Sequence, residues 1–148
     1  MSNVLCALLG HGLSWVHAVA ITANVAVETG WSFDYTQRQH NGPAYGLFQM
    51  EPTGLLPNYA VYRVAHCESD SADCQIAWLT ASLNGSFEYG RYWIGGGNID
   101  AFNATTEVAE ATRVFSGRIL RPGKPHLDRR LEAARDIHER YRGHHCPN

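Results

Sequence analysis

The longest apolar run of the chain covers residues 14–27 and predicts a central helix. Nearly every side chain in this run is apolar and no polar face recurs at the helical repeat, so we expect the helix to be buried on all sides. Ser14 is a favourable N-cap, and Gly30 occupies the usual position just past a helix C-terminus. Glu28 therefore falls in the last turn, where the helix dipole and the loss of water both disfavour a charged carboxylate. The pattern predicts that Glu28 is protonated near neutral pH.

Helical periodicity recurs in the middle and at the end of the chain. Residues 55–66 and 73–83 are predicted as two helices, with Asp73 as the N-cap of the second. The last helix carries an apolar stripe, with its charged residues expected on the opposite, solvated face. This stripe consists of Leu127, Leu131, Ala134, Ile137 and Tyr141. The predicted fold class is mainly α.

Between these helices the pattern is more broken. Residues 85–98 contain too many glycines for one long helix, and their aromatic side chains, Tyr92 among them, are expected on the far side of a groove. Thr105 or Thr106 is expected to cap a helix through Phe115, and residues 116–125 to form a turn-rich connector.

Length and composition favour one soluble domain over residues 1–148. A chain of 148 residues with 45% hydrophobic and 18% charged residues suits a single globular core and excludes a disordered chain. No stretch approaches the roughly twenty apolar residues of a membrane span. The first residues, MSNVLCALLGHG, lack a basic region and a cleavage site, so we expect no signal peptide and infer that any export uses another route.

The charge of the chain is uneven, with a net charge of −2 overall and an excess of cations over residues 118–142. Such a basic end suits either an anionic cell wall or nucleic acid. Helical spacing of the last helix favours a solvated charged face instead, and we expect no nucleic-acid partner.

Four cysteines allow two disulfides. Cys67 and Cys74 flank a short acidic loop, and Cys6 with Cys146 could join the two chain ends. Two bridges would suit a protein that works in the periplasm or outside the cell. Four free thiols, or a metal site that uses His144, His145 and Cys146, are the alternatives. Because the paired Cys-x-x-Cys spacing of zinc sites is missing, we predict no metal, and nothing in the sequence calls for a cofactor.

The segment after Glu28 carries aromatic, glycine and amide side chains suited to sugar. Residues 31–43 are predicted as a loop or short β-hairpin over a cleft, in which Trp31 packs a hairpin face or stacks on a sugar ring. Gly46 would let the backbone approach a ligand, and Gln49 offers a donor and an acceptor to N-acetyl and hydroxyl groups. The predicted substrate-binding residues are Trp31, Tyr45, Gly46, Leu47, Phe48, Gln49 and Tyr92.

A protonated carboxyl beside such a loop predicts glycosidic cleavage. The leaving sugar oxygen departs only if an acid protonates it, and Glu28 is the predicted acid. The simpler alternative is a glutamate that ends a helix at the surface. A two-carboxylate mechanism needs a second acid, for which Glu51 and Asp34 are the candidates, and neither spacing decides between them.

Glu28 followed by Ala44-Tyr45-Gly46-Leu47-Phe48-Gln49 resembles the E...GLxQ signature of the lysozyme-like superfamily. The resemblance includes goose-type lysozymes and soluble lytic transglycosylases and is greatest to phage tail lysozymes. Residues 3–12, 73–79 and 129–141 resemble the first, middle and closing helices there, so the likeness covers nearly the whole chain. It implies a lysozyme-like fold with a central buried helix and a small loop or β-hairpin region over the cleft.

The resemblance also implies an activity. It implies cleavage of the β-1,4 bond between N-acetylmuramic acid and N-acetylglucosamine in a peptidoglycan glycan strand, by a phage lysin or a virion-associated enzyme that meets other tail proteins. The site of action would be the virion, the periplasm or the outside of the cell. A lytic transglycosylase with one glutamate, a non-catalytic wall-binding or virion module, and a chitinase-like enzyme remain as alternatives.

Overall fold

The computed structural model describes residues 1–147, which form a mainly helical fold. Eight α-helices follow one another within this range, and a π-helical turn, Phe115–Leu120, extends the seventh. In chain order they are α1 Ser2–Gly10, α2 Trp15–Glu28, α3 Leu55–His66, α4 Ala72–Asn84, α5 Glu88–Ile94, α6 Gly96–Asn103, α7 Val108–Val114 and α8 Leu127–Tyr141.

The central helix is α2, as the apolar run predicted. Residues 18–26 are buried along its whole circumference, and it packs mainly against α7 and α8. The Ser14 hydroxyl accepts a hydrogen bond from the His17 N–H at 3.2 Å, which confirms the N-cap. Gly30 follows the last turn with φ of 59°, a left-handed conformation that glycine adopts without strain. The helix thus ends where the sequence indicates, with Glu28 as its final residue.

The other helix boundaries depart from the predictions at their caps. Ser71, not Asp73, caps α4, because its hydroxyl accepts from the Cys74 N–H at 3.0 Å. Helix α7 begins after Glu107 rather than at Thr105 or Thr106, since the Thr105 hydroxyl is already bonded to a carbonyl of α6.

Two regions predicted as irregular are partly helical. The chain continues from α7 through the π-helical turn instead of entering a connector at Ser116. Residues 85–98 contain α5 and the start of α6, joined at Gly95 with φ of 103°.

The loop between α2 and α3 consists of turns instead of a hairpin. Trp31 and Phe33 have φ values of 66° and 53°, and such left-handed residues cannot continue a strand. Isolated bridges pair Tyr45 with Arg38 and with Met50. The loop therefore folds back on itself over the end of α2.

Two disulfides are present, as the cysteine placement predicted. Cys6 with Cys146 joins α1 to the end of the chain, and Cys67 with Cys74 closes the loop between α3 and α4. No free cysteine remains among the described residues, so the alternative of four free thiols does not apply. Within this same range, no helix is long and apolar enough to cross a membrane.

Candidate functional site

Glu28 lies at the junction of α2, α8 and the loop that follows α2. Its side chain is only 12% exposed, because α2 carries it out of the core at its last turn. The surface-glutamate alternative does not fit this burial. A carboxyl so enclosed loses most of its hydration and must find a partner within the protein.

That partner is Arg130, a residue of α8 whose side chain is 2% exposed. Its Nη2 donates to Oε1 of Glu28 at 3.0 Å, and its Nη1 donates to Oδ1 of Asn24 at 3.0 Å. Nε donates to the Pro125 carbonyl, which anchors the guanidinium at the start of α8. Because Asn24 and Glu28 are four residues apart on α2, one planar guanidinium reaches both. Arg130 thus fixes the carboxyl and leaves Oε2 without a bond to it.

The pKa of Glu28 is raised above its usual range. Burial is the largest cause, while the charge and hydrogen bond of Arg130 act in the opposite direction and the charge of Glu51 adds a further increase. Desolvation favours the neutral acid, and the guanidinium limits that effect. The environment therefore favours a carboxyl that exchanges its proton at a higher pH than an ordinary glutamate.

The two candidates for a second carboxylate differ in their surroundings. Glu51 is exposed, and its charge reaches Glu28. Asp34 is exposed as well, but its Oδ1 accepts from the backbone N–H and the hydroxyl of Thr36, and these bonds lower its pKa. Of the two, Glu51 is the one that interacts with Glu28.

The Gly46-Leu47-Phe48-Gln49 segment forms the base of the loop beside α2. Leu47 and Phe48 are 0% and 2% exposed, so these two predicted binding residues pack in the core and offer no surface to a ligand. Gly46 has φ of 87°, and a Cβ there would lie 2.7 Å from Oε1 of Gln75. The close approach that Gly46 permits is therefore to Gln75, whose Oε1 also accepts from the Leu47 N–H at 2.9 Å.

Gln49 braces the same loop. Its Nε2 donates to the Gln37 carbonyl at 3.0 Å and to the Gly46 carbonyl at 2.9 Å, and its backbone φ is 45°. Its Oε1 accepts no hydrogen bond from residues 1–147 and is left for a ligand. The amide thus combines a structural donor with a free acceptor.

Tyr45 belongs to a polar cluster centred on Asp70. Tyr45 and Tyr59 both donate their hydroxyls to Asp70, and Gln75 donates to it at 3.1 Å. Burial and the bond to Asp70 raise the pKa of Tyr45 to about 12. The guanidinium of Arg38 lies 4.5 Å from the Tyr45 ring centroid and covers one face of the ring. A sugar contact by Tyr45 is thereby restricted to the other face or the ring edge.

Trp31 and Tyr92, both predicted to contact sugar, line two different pockets. Trp31 is 48% exposed and borders a pocket of about 500 Å³ against the outer face of α8. Tyr92 is 81% exposed and borders a second pocket, of about 550 Å³, with Thr53 and Gly54. The loop that carries Glu51 leads into the second pocket. Within residues 1–147, no cluster of three His, Cys, Asp or Glu side chains is arranged to hold a metal ion.

Sequence reasoning missed Arg130, Asn24 and Asp70. Arg130 was assigned with the other charges to the solvated face of the last helix, and this assignment is wrong. A signal for its burial was present, since Arg130 lies four residues before Ala134 and seven before Ile137, on the buried face of α8. Asn24 also stood out as an amide one turn before Glu28 in an apolar helix.

The arrangement combines a buried acid, a guanidinium that orients it and an exposed carboxylate whose charge reaches it. It can donate and recover a proton at one fixed oxygen, as acid–base catalysis requires. A search of curated proteins and of solved structures found no match to the chain. The family model described as phage tail lysozyme matches residues 1–141. This range contains the eight helices and the π-helical turn described above, but not Cys146 of the Cys6–Cys146 disulfide. The chain therefore belongs to the phage tail lysozyme family, whose members are lysozyme-type enzymes of the cell wall.

Proposed function

We propose that the chain cleaves the β-1,4 bond between N-acetylmuramic acid and N-acetylglucosamine in peptidoglycan, with Glu28 as the general acid. The observation that carries this proposal is the enclosed Glu28 carboxyl, held by Arg130 at 3.0 Å and with a raised pKa, in a chain of a lysozyme family. A protonated carboxyl is what a glycosidic leaving group needs.

In the first step, Oε2 of Glu28 gives its proton to the glycosidic oxygen while the bond to the anomeric carbon breaks. Positive charge develops on the sugar ring, and the negative charge of Glu51 stabilises it. Glu28 is then a carboxylate, held in place by Arg130. In the second step, it accepts a proton from the water that attacks the anomeric carbon, which restores the acid.

A lytic transglycosylase is the second candidate activity. It needs one glutamate, because the 6-hydroxyl of the muramoyl unit replaces water and closes an anhydro ring. Two observations favour it: Asp34 is engaged by Thr36, and the Glu51 carboxylate accepts no hydrogen bond within residues 1–147 that would position it. A second catalytic carboxylate, as a two-carboxylate mechanism needs, has correspondingly less support.

Mass spectrometry of the fragments released from purified peptidoglycan tests the proposal. Fragments that end in reducing N-acetylmuramic acid identify a hydrolase, and 1,6-anhydro ends identify a transglycosylase. If the wild-type protein releases no fragments from any purified wall while it binds them, the proposed cleavage is wrong and the chain is a binding or virion module.

The proposed place of action is outside the bacterial cytoplasm, as part of a phage particle or as a released lysin. Both disulfides support this, because such bridges persist in oxidising surroundings. A tail-bound enzyme would also contact other virion proteins.

A further inference from the structure

We propose that the pocket lined by Thr53, Gly54, Tyr92, Trp93 and Arg121 is a subsite that binds a sugar unit bearing a carboxylate. In it, the aromatic rings hold the sugar and Arg121 pairs with the carboxylate. The inference rests on the proposed function, since it assigns this pocket to the same glycan strand. It predicts a preference for muramic-acid-containing strands over neutral polymers of N-acetylglucosamine.

The loop after Glu51 links the pocket to the candidate site along the chain. Thr53 lies two residues after Glu51, whose charge reaches Glu28. The other walls come from α5 and from the residue that ends the π-helical turn. In this proposal, a strand held at Glu28 runs past Glu51 and into the pocket. Its volume of about 550 Å³ lies in the range of pockets that accept small ligands.

The aromatic residues of the pocket are largely exposed to solvent instead of being packed in the core. Tyr92 is 81% exposed and Trp93 is 44% exposed, although both belong to a helix that buries Gly90 and Ile94. The Trp93 ring packs edge-on against Tyr89 at 6.4 Å between centroids, and both residues are 44% exposed. An exposed aromatic face suits the apolar face of a sugar ring.

Arg121 is the cation of the pocket, and its charge is not neutralised within residues 1–147. Its guanidinium forms no ion pair and no hydrogen bond there, whereas Arg91 on the neighbouring helix is paired with Asp100 at 3.1 Å. Its backbone has φ of 49° and ψ of 56°, a conformation that glycine or asparagine adopts more readily than arginine. The unpaired guanidinium of Arg121 is planar, and such a group binds carboxylates in a bidentate manner.

The carboxylate has two possible sources on a peptidoglycan strand. Peptide-free muramic acid carries a free lactyl carboxylate, while in a peptide-substituted strand that group is an amide and the carboxylates belong to the stem peptide. Three tetrasaccharide probes separate these sources: a peptide-bearing GlcNAc–MurNAc strand, the same strand after removal of its peptides, and chitotetraose, which has no carboxylate.

The experiment measures the Kd of each probe for full-length protein that carries Glu28→Gln, so that no cleavage occurs. Adding Arg121→Gln should weaken binding of at least one carboxylate-bearing probe roughly threefold to tenfold and leave chitotetraose unchanged. Arg121→Lys should retain part of the preference. Adding Tyr92→Ala and Trp93→Ala together should weaken all three probes by roughly threefold to tenfold. Arg118→Gln and Val64→Ala are matched controls on exposed positions outside the pocket and should change nothing.

Equal Kd values for Arg121→Gln and its parent on both carboxylate-bearing probes would overturn the charge recognition. Unchanged binding of all probes after the double aromatic substitution would overturn the subsite, and so would aromatic-dependent binding of a tail protein in place of the glycans. Because binding is measured without catalysis, a wild-type protein that cleaves peptidoglycan while these Kd values stay unchanged refutes the subsite alone. A protein that binds as described but never cleaves refutes the proposed function alone.

Discussion

Arg130 donates to Oε1 of Glu28 at 3.0 Å across 102 positions of the sequence. The pair explains how an enclosed glutamate keeps one orientation, because the same guanidinium also holds Asn24 at 3.0 Å and the Pro125 carbonyl. Because Arg130 occupies Oε1, the proposed mechanism assigns the transferred proton to Oε2. The proton affinity of Glu28 then depends on two opposed effects, burial and the charge of Arg130.

Replacing Arg130 should therefore alter the pH dependence of the enzyme as well as its rate. In Arg130→Gln the effect that lowers the Glu28 pKa is lost while burial remains, so that pKa rises further. An acid with a higher pKa stays protonated to higher pH, and the alkaline limb of the kcat/KM profile should move upward in pH. The maximal rate should fall because the carboxyl is no longer oriented. A pH series of wall-lysis rates measures both effects.

Arg129→Gln is the matched control, since Arg129 is exposed on the same helix and should leave the profile in place. Loss of one partner of a buried ion pair is expected to lower the free energy of unfolding by about 3 kcal/mol. If Arg130→Gln folds and its alkaline limb does not move, Arg130 is a packing residue only and does not act on Glu28.

Glu28 should also make the stability of the wild-type protein depend on pH. Its folded-state pKa is raised, so the stability it contributes is fully present below the unfolded pKa and is lost as pH rises through the folded pKa. The contribution of Asp70 to stability depends on pH in the opposite direction. Although burial opposes it, the hydrogen bonds from Tyr45, Tyr59 and Gln75 hold the Asp70 pKa below its usual range. Its contribution is present above the unfolded pKa and is lost as pH falls through the folded pKa.

Asp70→Asn should thus destabilise the loop that supports the cleft. The amide oxygen cannot replace a carboxylate that accepts from two tyrosines and a glutamine, and we expect a loss of about 1–3 kcal/mol near neutral pH. Urea unfolding as a function of pH measures this difference. It should shrink as pH falls through the Asp70 pKa, and a difference that stays constant into strong acid would contradict the charged cluster.

The two disulfides should contribute unequally to stability. Cys6 and Cys146 are separated by 140 positions and Cys67 and Cys74 by 7. Chain-entropy arguments assign about 5 kcal/mol to the long loop and about 2.5 kcal/mol to the short one. Denaturant unfolding of the two double Cys→Ser variants compares them. A larger loss for the short loop would show that the bridge at the chain ends constrains the unfolded chain less than its length implies.

The sequence predicted the parts of the fold that depend on local patterns. The apolar run with Ser14 and Gly30 at its ends gave the limits of α2 and the position of Glu28, and cysteine placement gave both bridges. Contacts between distant segments that no cysteine pair marks were not accessible in this way. The acidic stretch around Asp70 has the composition of a solvated loop, and only the folded chain brings two tyrosine hydroxyls to it.

The same limit applies to the predicted binding residues. Gly46 was expected to approach a ligand, but the folded chain sets its open side against Gln75 of α4. The alternation of Trp31, Phe33 and Tyr35 resembled a strand, yet two of these residues have left-handed backbones that the side-chain pattern does not reveal. The roles of Trp31, Tyr45, Gln49 and Tyr92 toward substrate stay predictions.

The central claim is that Glu28 supplies the proton for glycosidic cleavage, and Glu28→Gln tests it most directly. The amide keeps an oxygen that accepts from Arg130 and is neutral like the protonated acid, so we expect the fold and most of the stability to be retained. Glu110→Gln, an exposed position on α7 that lines neither pocket, is the control.

The measurement is the initial rate of fragment release from purified peptidoglycan at the pH of maximal wild-type activity, with folding checked by circular dichroism. General acid catalysis contributes about 10² to 10⁴ in rate, so the Glu28→Gln rate should fall at least about a hundredfold while the Glu110→Gln rate matches wild type. A folded Glu28→Gln protein that releases fragments at a near wild-type rate would contradict both the site and the mechanism.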